Sequence, residues 1–115
     1  MPERISPYCH HFHRAMAVYG QKWTPEVVRA LLGGRARFNE IAAAIPGLSD
    51  RVLSQRLKAL EGDGLVTRTV TPDRPVRVAY RLTPKGRGLG RAVGALAAWA
   101  EEWITQEEAE GAPAP

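Results

Sequence analysis

A chain of 115 residues with 44% apolar residues and one cysteine is sized for a single domain around a modest core, with no internal disulfide to staple it. No stretch approaches the roughly 18 apolar residues of a membrane span, and the N-terminus lacks the apolar segment of a secretory leader, so no membrane partner and a cytoplasmic location are expected. The net charge of +4 hides an asymmetry: Arg35 to Arg91 carries twelve Lys/Arg against five Asp/Glu, a balance of +7, whereas Glu101 to Glu110 carries five acids and no base. A basic body attracts polyanions, because each cation that neutralises a phosphate releases a condensed counterion; a solvated arginine-rich surface would give the same composition.

Residues 1–8 read as an N-terminal arm, since Pro2 and Pro7 oppose helix. A first helix is expected over 9–19 and ends at Gly20. Thr24-Pro25-Glu26 gives a hydroxyl N-cap, a proline at the first position and an acid in the first turn; that helix carries Val27, Val28, Leu31 and Leu32 until Gly33-Gly34 stops it. Phe38 to Ile45 is a short third helix, closed by the Pro46-Gly47 turn.

Ser49 caps the fourth helix, which ends near Gly62-Asp63-Gly64. At about 100° per residue, Leu53, Leu57 and Leu60 fall on one side, while Arg51, Gln55 and Lys58 fall opposite, with Ser54 beside them. The apolar side belongs in the core. The other side has the chemistry that reads guanine and adenine edges and holds phosphates. A tight turn between the third and fourth helices is what a helix-turn-helix requires. A hairpin follows: Leu65–Thr71 and Val76–Leu82, with Arg77 and Arg81 on one face of its second strand and Pro72 and Pro75 stiffening a tip that holds Asp73 and Arg74. An arginine on such a tip suits a minor groove or a phosphate.

Thr83-Pro84 opens the last helix, over 84–104. Gly86, Gly88 and Gly90 weaken its first turns by about 1 kcal/mol each relative to Ala. They do not follow the spacing of a phosphate-binding loop. Leu89, Val93, Leu96, Ala100 and Trp103 then recur at spacings of four, three, four and three, widened by Trp99 and Ile104. So apolar a terminal helix suits a dimer interface, with packing onto the first helix as the alternative. Phe12, Leu96, Trp99, Ala100 and Trp103 are the expected interface residues. The acidic and proline-containing tail, 105–115, is expected to be disordered.

The expected fold is therefore α+β and mostly helical: a winged helix-turn-helix over 9–104 with additional N- and C-terminal dimerisation helices. Expected DNA contacts are Ser49, Arg51, Ser54, Gln55 and Lys58 from the fourth helix, Arg37 from the third, and Arg74 and Arg77 from the wing. Cys9 lies at a helix start beside His10, His11 and His13, where positive potential favours a thiolate. That makes it a candidate redox or electrophile switch, with an idle thiol as the alternative. Cys9 and His13 share a helix face but supply only two ligands, so neither a metal nor another cofactor is expected.

Several blocks in order make the chain resemble the HxlR-type family of bacterial winged helix-turn-helix transcription regulators. They are Gly20-Gln-Lys-Trp-Thr24, Arg37-Phe38-Asn-Glu-Ile41, Ile45-Pro-Gly-Leu-Ser49, Val52-Leu53 with Gln55-Arg56-Leu57, Leu60-Glu61 with Gly64-Leu65-Val66, and Tyr80-Arg-Leu-Thr83 with Gly86, preceded by Cys9. The resemblance implies a homodimer built from the first and last helices, a fourth helix in the major groove with the wing beside it, and, at the position of Cys9, a cysteine that some members use to sense quinones, aldehydes or oxidants. His10 stands where many members have proline, and Gln21 where a glycine is common. Together these readings give a sequence-specific regulator, repressor or activator, acting as a homodimer on a pseudo-palindromic operator and answering to a small-molecule or oxidant effector. A winged-helix module that binds protein without specific DNA binding is the alternative. A thiol enzyme is disfavoured, because Cys9 has neither a resolving cysteine nor an orienting acid near it.

Overall fold

The computed structural model describes residues 5–111. Residues 1–4 of the expected arm and 112–115 of the expected tail lie outside the described residues. The elements run α1 (His10–Tyr19), α2 (Thr24–Leu32), α3 (Phe38–Ala44), α4 (Asp50–Gly62), β1 (Val66–Thr71), β2 (Arg77–Leu82), α5 (Pro84–Trp103) and α6 (Gln106–Gly111). This is the expected winged helix-turn-helix. β1 and β2 form an antiparallel hairpin in which Val66 faces Leu82, Arg68 faces Tyr80 and Thr71 faces Arg77.

Apolar residues at helical spacing build one core. Val27, Val28 and Leu31 of α2, Ile41 of α3, Leu53, Leu57 and Leu60 of α4, and Leu65 and Val66 at the root of the hairpin are buried together with Ile45. Left-handed glycines close the connections: Gly47 (φ 86°) turns α3 into α4, and Gly64 (φ 78°) turns α4 into the wing.

The first turn of α5 is fastened to that second connection. Thr83 N–H donates to the Leu65 carbonyl (2.9 Å), Thr83 Oγ1 donates to the Gly64 carbonyl (2.6 Å), and Lys85 Nζ donates to the Asp63 carbonyl (2.8 Å). Gly86 is buried directly against the Leu65 carbonyl, where any Cβ would collide with backbone. The α5 glycines thus weaken the helix locally but admit this close approach.

Two expectations need correction. Thr24 does not cap α2; it is the first residue of the helix and is buried, while Trp23 holds the cap position in a left-handed conformation (φ 79°). The indole of Trp23 lies against Gly47, so α2 begins on the helix-turn-helix turn itself. Nor is 105–111 without structure. Thr105 Oγ1 accepts from Glu108 N–H (3.1 Å) and donates to the Glu108 carboxylate, and Gln106 Nε2 donates to Glu110 (2.8 Å), so Thr105-x-x-Glu108 caps α6. The acidic composition concealed this local signal.

The radius of gyration is 16.0 Å, against about 13 Å for a compact domain near this size. α1 accounts for part of the excess, since none of its residues is buried. Its inner end is tied down where Tyr19 Oη donates to Asp63 Oδ2 (3.3 Å). Burial, reinforced by the Asp63 carboxylate, raises the Tyr19 pKa and keeps the hydroxyl a neutral donor.

Candidate nucleic-acid interface

α4 is fixed at its start and along one side. Ser49 Oγ accepts from Val52 N–H (3.1 Å), and Leu53, Leu57 and Leu60 are at most 2% exposed. Rotation about the helix axis is thereby set, and Arg51, Ser54, Gln55 and Lys58 are left exposed on the outer side. Neither Arg51 nor Lys58 forms an ion pair among the described residues. Arg56 belongs to the other side: half-buried, it donates from Nε to the Lys22 carbonyl (3.0 Å) and braces the segment before α2.

α3 begins beside this surface. The Glu40 carboxylate accepts from Arg37 N–H (2.9 Å) and Ala36 N–H (3.2 Å) and closes the helix start. Those two backbone donors hold the Glu40 pKa below its ordinary value. Because Glu40 is occupied by backbone, the exposed Arg37 guanidinium stays free of an ion pair among the described residues.

Arg74 is exposed at the wing tip, next to a cis bond to Pro75. Arg77 is less free than its spacing suggested, with its Nε 4.0 Å from Asp73 Oδ2. The wing's root joins the segment before α3 through Tyr80 N–H, which donates to the Ala36 carbonyl (2.7 Å). That bond brings Arg35 into the same groove wall as Arg81 and Arg87. The three are far apart in sequence, so no local spacing could have grouped them. Arg68, across from Tyr80, is exposed on the wing as well.

Cys9 is exposed and immediately precedes α1. The Tyr8 ring stands 5.0 Å from His10, edge to face, and 5.5 Å from His13. The described residues contain no cluster of three or more His, Cys, Asp or Glu able to hold a metal, and no described helix is long and apolar enough to cross a membrane. The residues expected at a dimer interface are open to solvent: Phe12 is 67% exposed, Leu96 62%, Trp99 53% and Trp103 65%, with Ala100 half-buried between them.

The helix-turn-helix and its wing have close counterparts. Residues 18–108 match the model of the HxlR-like helix-turn-helix family. YvaP of Bacillus subtilis, an uncharacterized HTH-type transcriptional regulator, is 48% identical over 86% of this chain and 92% of its own length. The HTH-type regulator YodB of the same organism is 37% identical over 83% of this chain and 85% of its own. The reduced form of YodB superposes with a TM-score of 0.71 at 36% identity, covering 84% of this chain and 95% of that one. The redox regulator HypR in its oxidized form superposes at 0.77 and 33% identity, covering 83% and 98%. The chain with the exposed polar face of α4 and the arginine-tipped wing belongs to the HxlR-like helix-turn-helix family of DNA-binding transcription regulators.

Proposed function

We propose that the protein is a homodimeric regulator that reads a pseudo-palindromic operator with α4 and answers to oxidants through Cys9. One observation carries the DNA-reading part. α4 is locked by a buried leucine side and a serine cap, yet leaves Arg51, Ser54, Gln55 and Lys58 exposed on its far side. Gln55 supplies a donor and an acceptor suited to adenine, and Arg51 and Lys58 suit guanine or phosphate. Arg37 and Arg74 extend the contact to the backbone on either side, while Arg77, drawn toward Asp73, contributes less. An isologous dimer through α1 and the end of α5 would place two α4 helices about one DNA turn apart.

The oxidant response has its own support. Cys9 is exposed at the start of α1, and the similar solved structures include the redox regulator HypR in oxidized and reduced forms and YodB both reduced and diamide-treated. Diamide would accept two electrons and two protons from a pair of thiols as their disulfide forms.

The test is selection of duplexes from a random pool by the reduced protein, followed by anisotropy across a salt series. A selected sequence should bind about a thousandfold or more above random duplex. Gln55→Ala should erode that preference, whereas Arg74→Ala, which removes one contact from each protomer, should weaken all duplexes alike and lower the salt slope by about two. Diamide should release wild-type protein from DNA and leave Cys9→Ser bound. Equal effects of Gln55→Ala on selected and random DNA would remove the base-reading role. Binding indifferent to sequence would favour a protein-binding module.

A further inference from the structure

A groove of about 320 Å³ runs between the end of α2, the root of the wing and the first turns of α5, with Arg35, Arg81 and Arg87 in its wall alongside Leu31, Leu32 and Tyr80. Its composition sets it apart. Neighbouring grooves contain Glu26, Glu40, Asp63, or Glu101 with Glu108, whereas this wall has three guanidinium groups and no carboxylate. None of the three arginines forms an ion pair among the described residues. Arg35 also lines grooves that contain Glu26 and Glu40, and its charge helps to lower the Glu40 pKa, but Arg81 and Arg87 face no carboxylate across this groove, so the repulsion among the three guanidinium groups is only partly offset.

The groove is also partly preorganised. Arg87 Nη1 donates to the Leu82 carbonyl (3.0 Å), which orients the guanidinium and leaves its other N–H groups free. The Tyr80–Ala36 hydrogen bond fixes the strand that carries Arg81 against the segment that carries Arg35. Guanidinium forks match the oxygens of a phosphodiester. Two features favour DNA as the source of that phosphate. Arg35 is two residues from Arg37, at the start of the helix-turn-helix, and Arg81 shares the hairpin face of Arg77. The cationic track therefore continues from the reading surface past the wing's root.

We propose that the Arg35–Arg81–Arg87 groove is a second phosphate-binding site that holds the backbone of duplex flanking the operator half-site. This rests on the DNA-binding reading above and adds a footprint beyond α4 and the wing tip. Arg35 and Arg81 are the residues to test, because their side chains make no hydrogen bond or ion pair among the described residues, so truncating them breaks none.

The experiment compares one selected core sequence in two duplexes, trimmed to the core or extended by a further turn on each side. Wild-type protein should bind the extended duplex more tightly and with a steeper salt slope. In the Arg35→Ala/Arg81→Ala double variant, which removes two arginines from each protomer of the proposed dimer, the slope on extended DNA should fall by about four, at roughly 0.9 per lost phosphate contact, while the trimmed duplex binds as before. Arg81→Glu should invert the preference for flanks. Equal binding of both duplexes by wild type and double variant, or equal loss on both, overturns the proposal. If inorganic phosphate raises the melting temperature of wild type but not of the double variant while flanks have no effect, the groove holds a small anion and the DNA assignment is overturned. Failure of wild type to bind either duplex would instead defeat the DNA-binding reading itself.

Discussion

The two halves of α5 meet opposite surroundings. In the first half, Gly86 and Gly90 are buried, one against a backbone carbonyl and the other with a prospective Cβ 3.0 Å from Leu32 Cδ1. In the second half, Leu96, Trp99 and Trp103 are all more than half exposed. One helix thus buries its smallest residues and exposes its largest. The first half is shaped by the body of its own chain. The second half carries apolar surface that this chain leaves open, and the proposed dimer would cover it.

That contrast can be broken at its tight end with the largest effect. Gly86→Ala should destabilise by about 3 kcal/mol or prevent folding, because overpacking here meets backbone, which cannot rotate away. Urea denaturation followed by circular dichroism would measure it. At the exposed end, Trp99→Ser with Trp103→Ser should leave the helical signal and monomer fold intact but halve the mass seen by light scattering; an unchanged mass would mean that the contrast has another cause.

A smaller effect sharpens the gradient along α5. Gly90→Ala should lie within about 1 kcal/mol of wild type, since gain in helix propensity offsets the displacement of a movable leucine tip. The smallest effect concerns the tie between α1 and α4. Tyr19→Phe should cost at most about 1 kcal/mol, the net value of one hydrogen bond. The folded-state pKa of Tyr19 is raised, so its contribution is present below the ordinary phenol range and fades as pH rises through the higher folded value. The wild-type advantage over Tyr19→Phe should therefore disappear in alkali, as melting curves across pH would show.

Where structure depends on neighbours in the chain, the sequence was legible. The Ser49 cap, the leucine side of α4, the Gly47 and Gly64 turns and the two strands of the hairpin all follow from spacings of a few residues. The outer side of α4 followed by elimination, because burying Leu53, Leu57 and Leu60 leaves only one place for Gln55. What could not be read depends on contacts between distant segments. The brace that Arg56 makes to the Lys22 carbonyl joins residues 34 apart in the chain, and Asp73 qualifies Arg77 through an ion pair that spacing on the strand did not reveal. Gly86 looks like a helix defect until Leu65 is beside it. The α6 cap is the exception: Thr105-x-x-Glu108 is local and readable, but a charge-rich composition pointed the other way.

The fastening of α5 to the Gly64 turn has a mechanical consequence. The end of α4, the root of the wing and the start of α5 share one joint, clamped through Thr83, Lys85 and the bare face of Gly86. A joint packed so closely at Gly86 would transmit rotation with little slack. A change in the angle between two α5 helices would swing α4 and the wing root together, as blades on a common shaft. In the proposed dimer, grip would then be tuned by the distance between two heads, with the shape of each head unaltered.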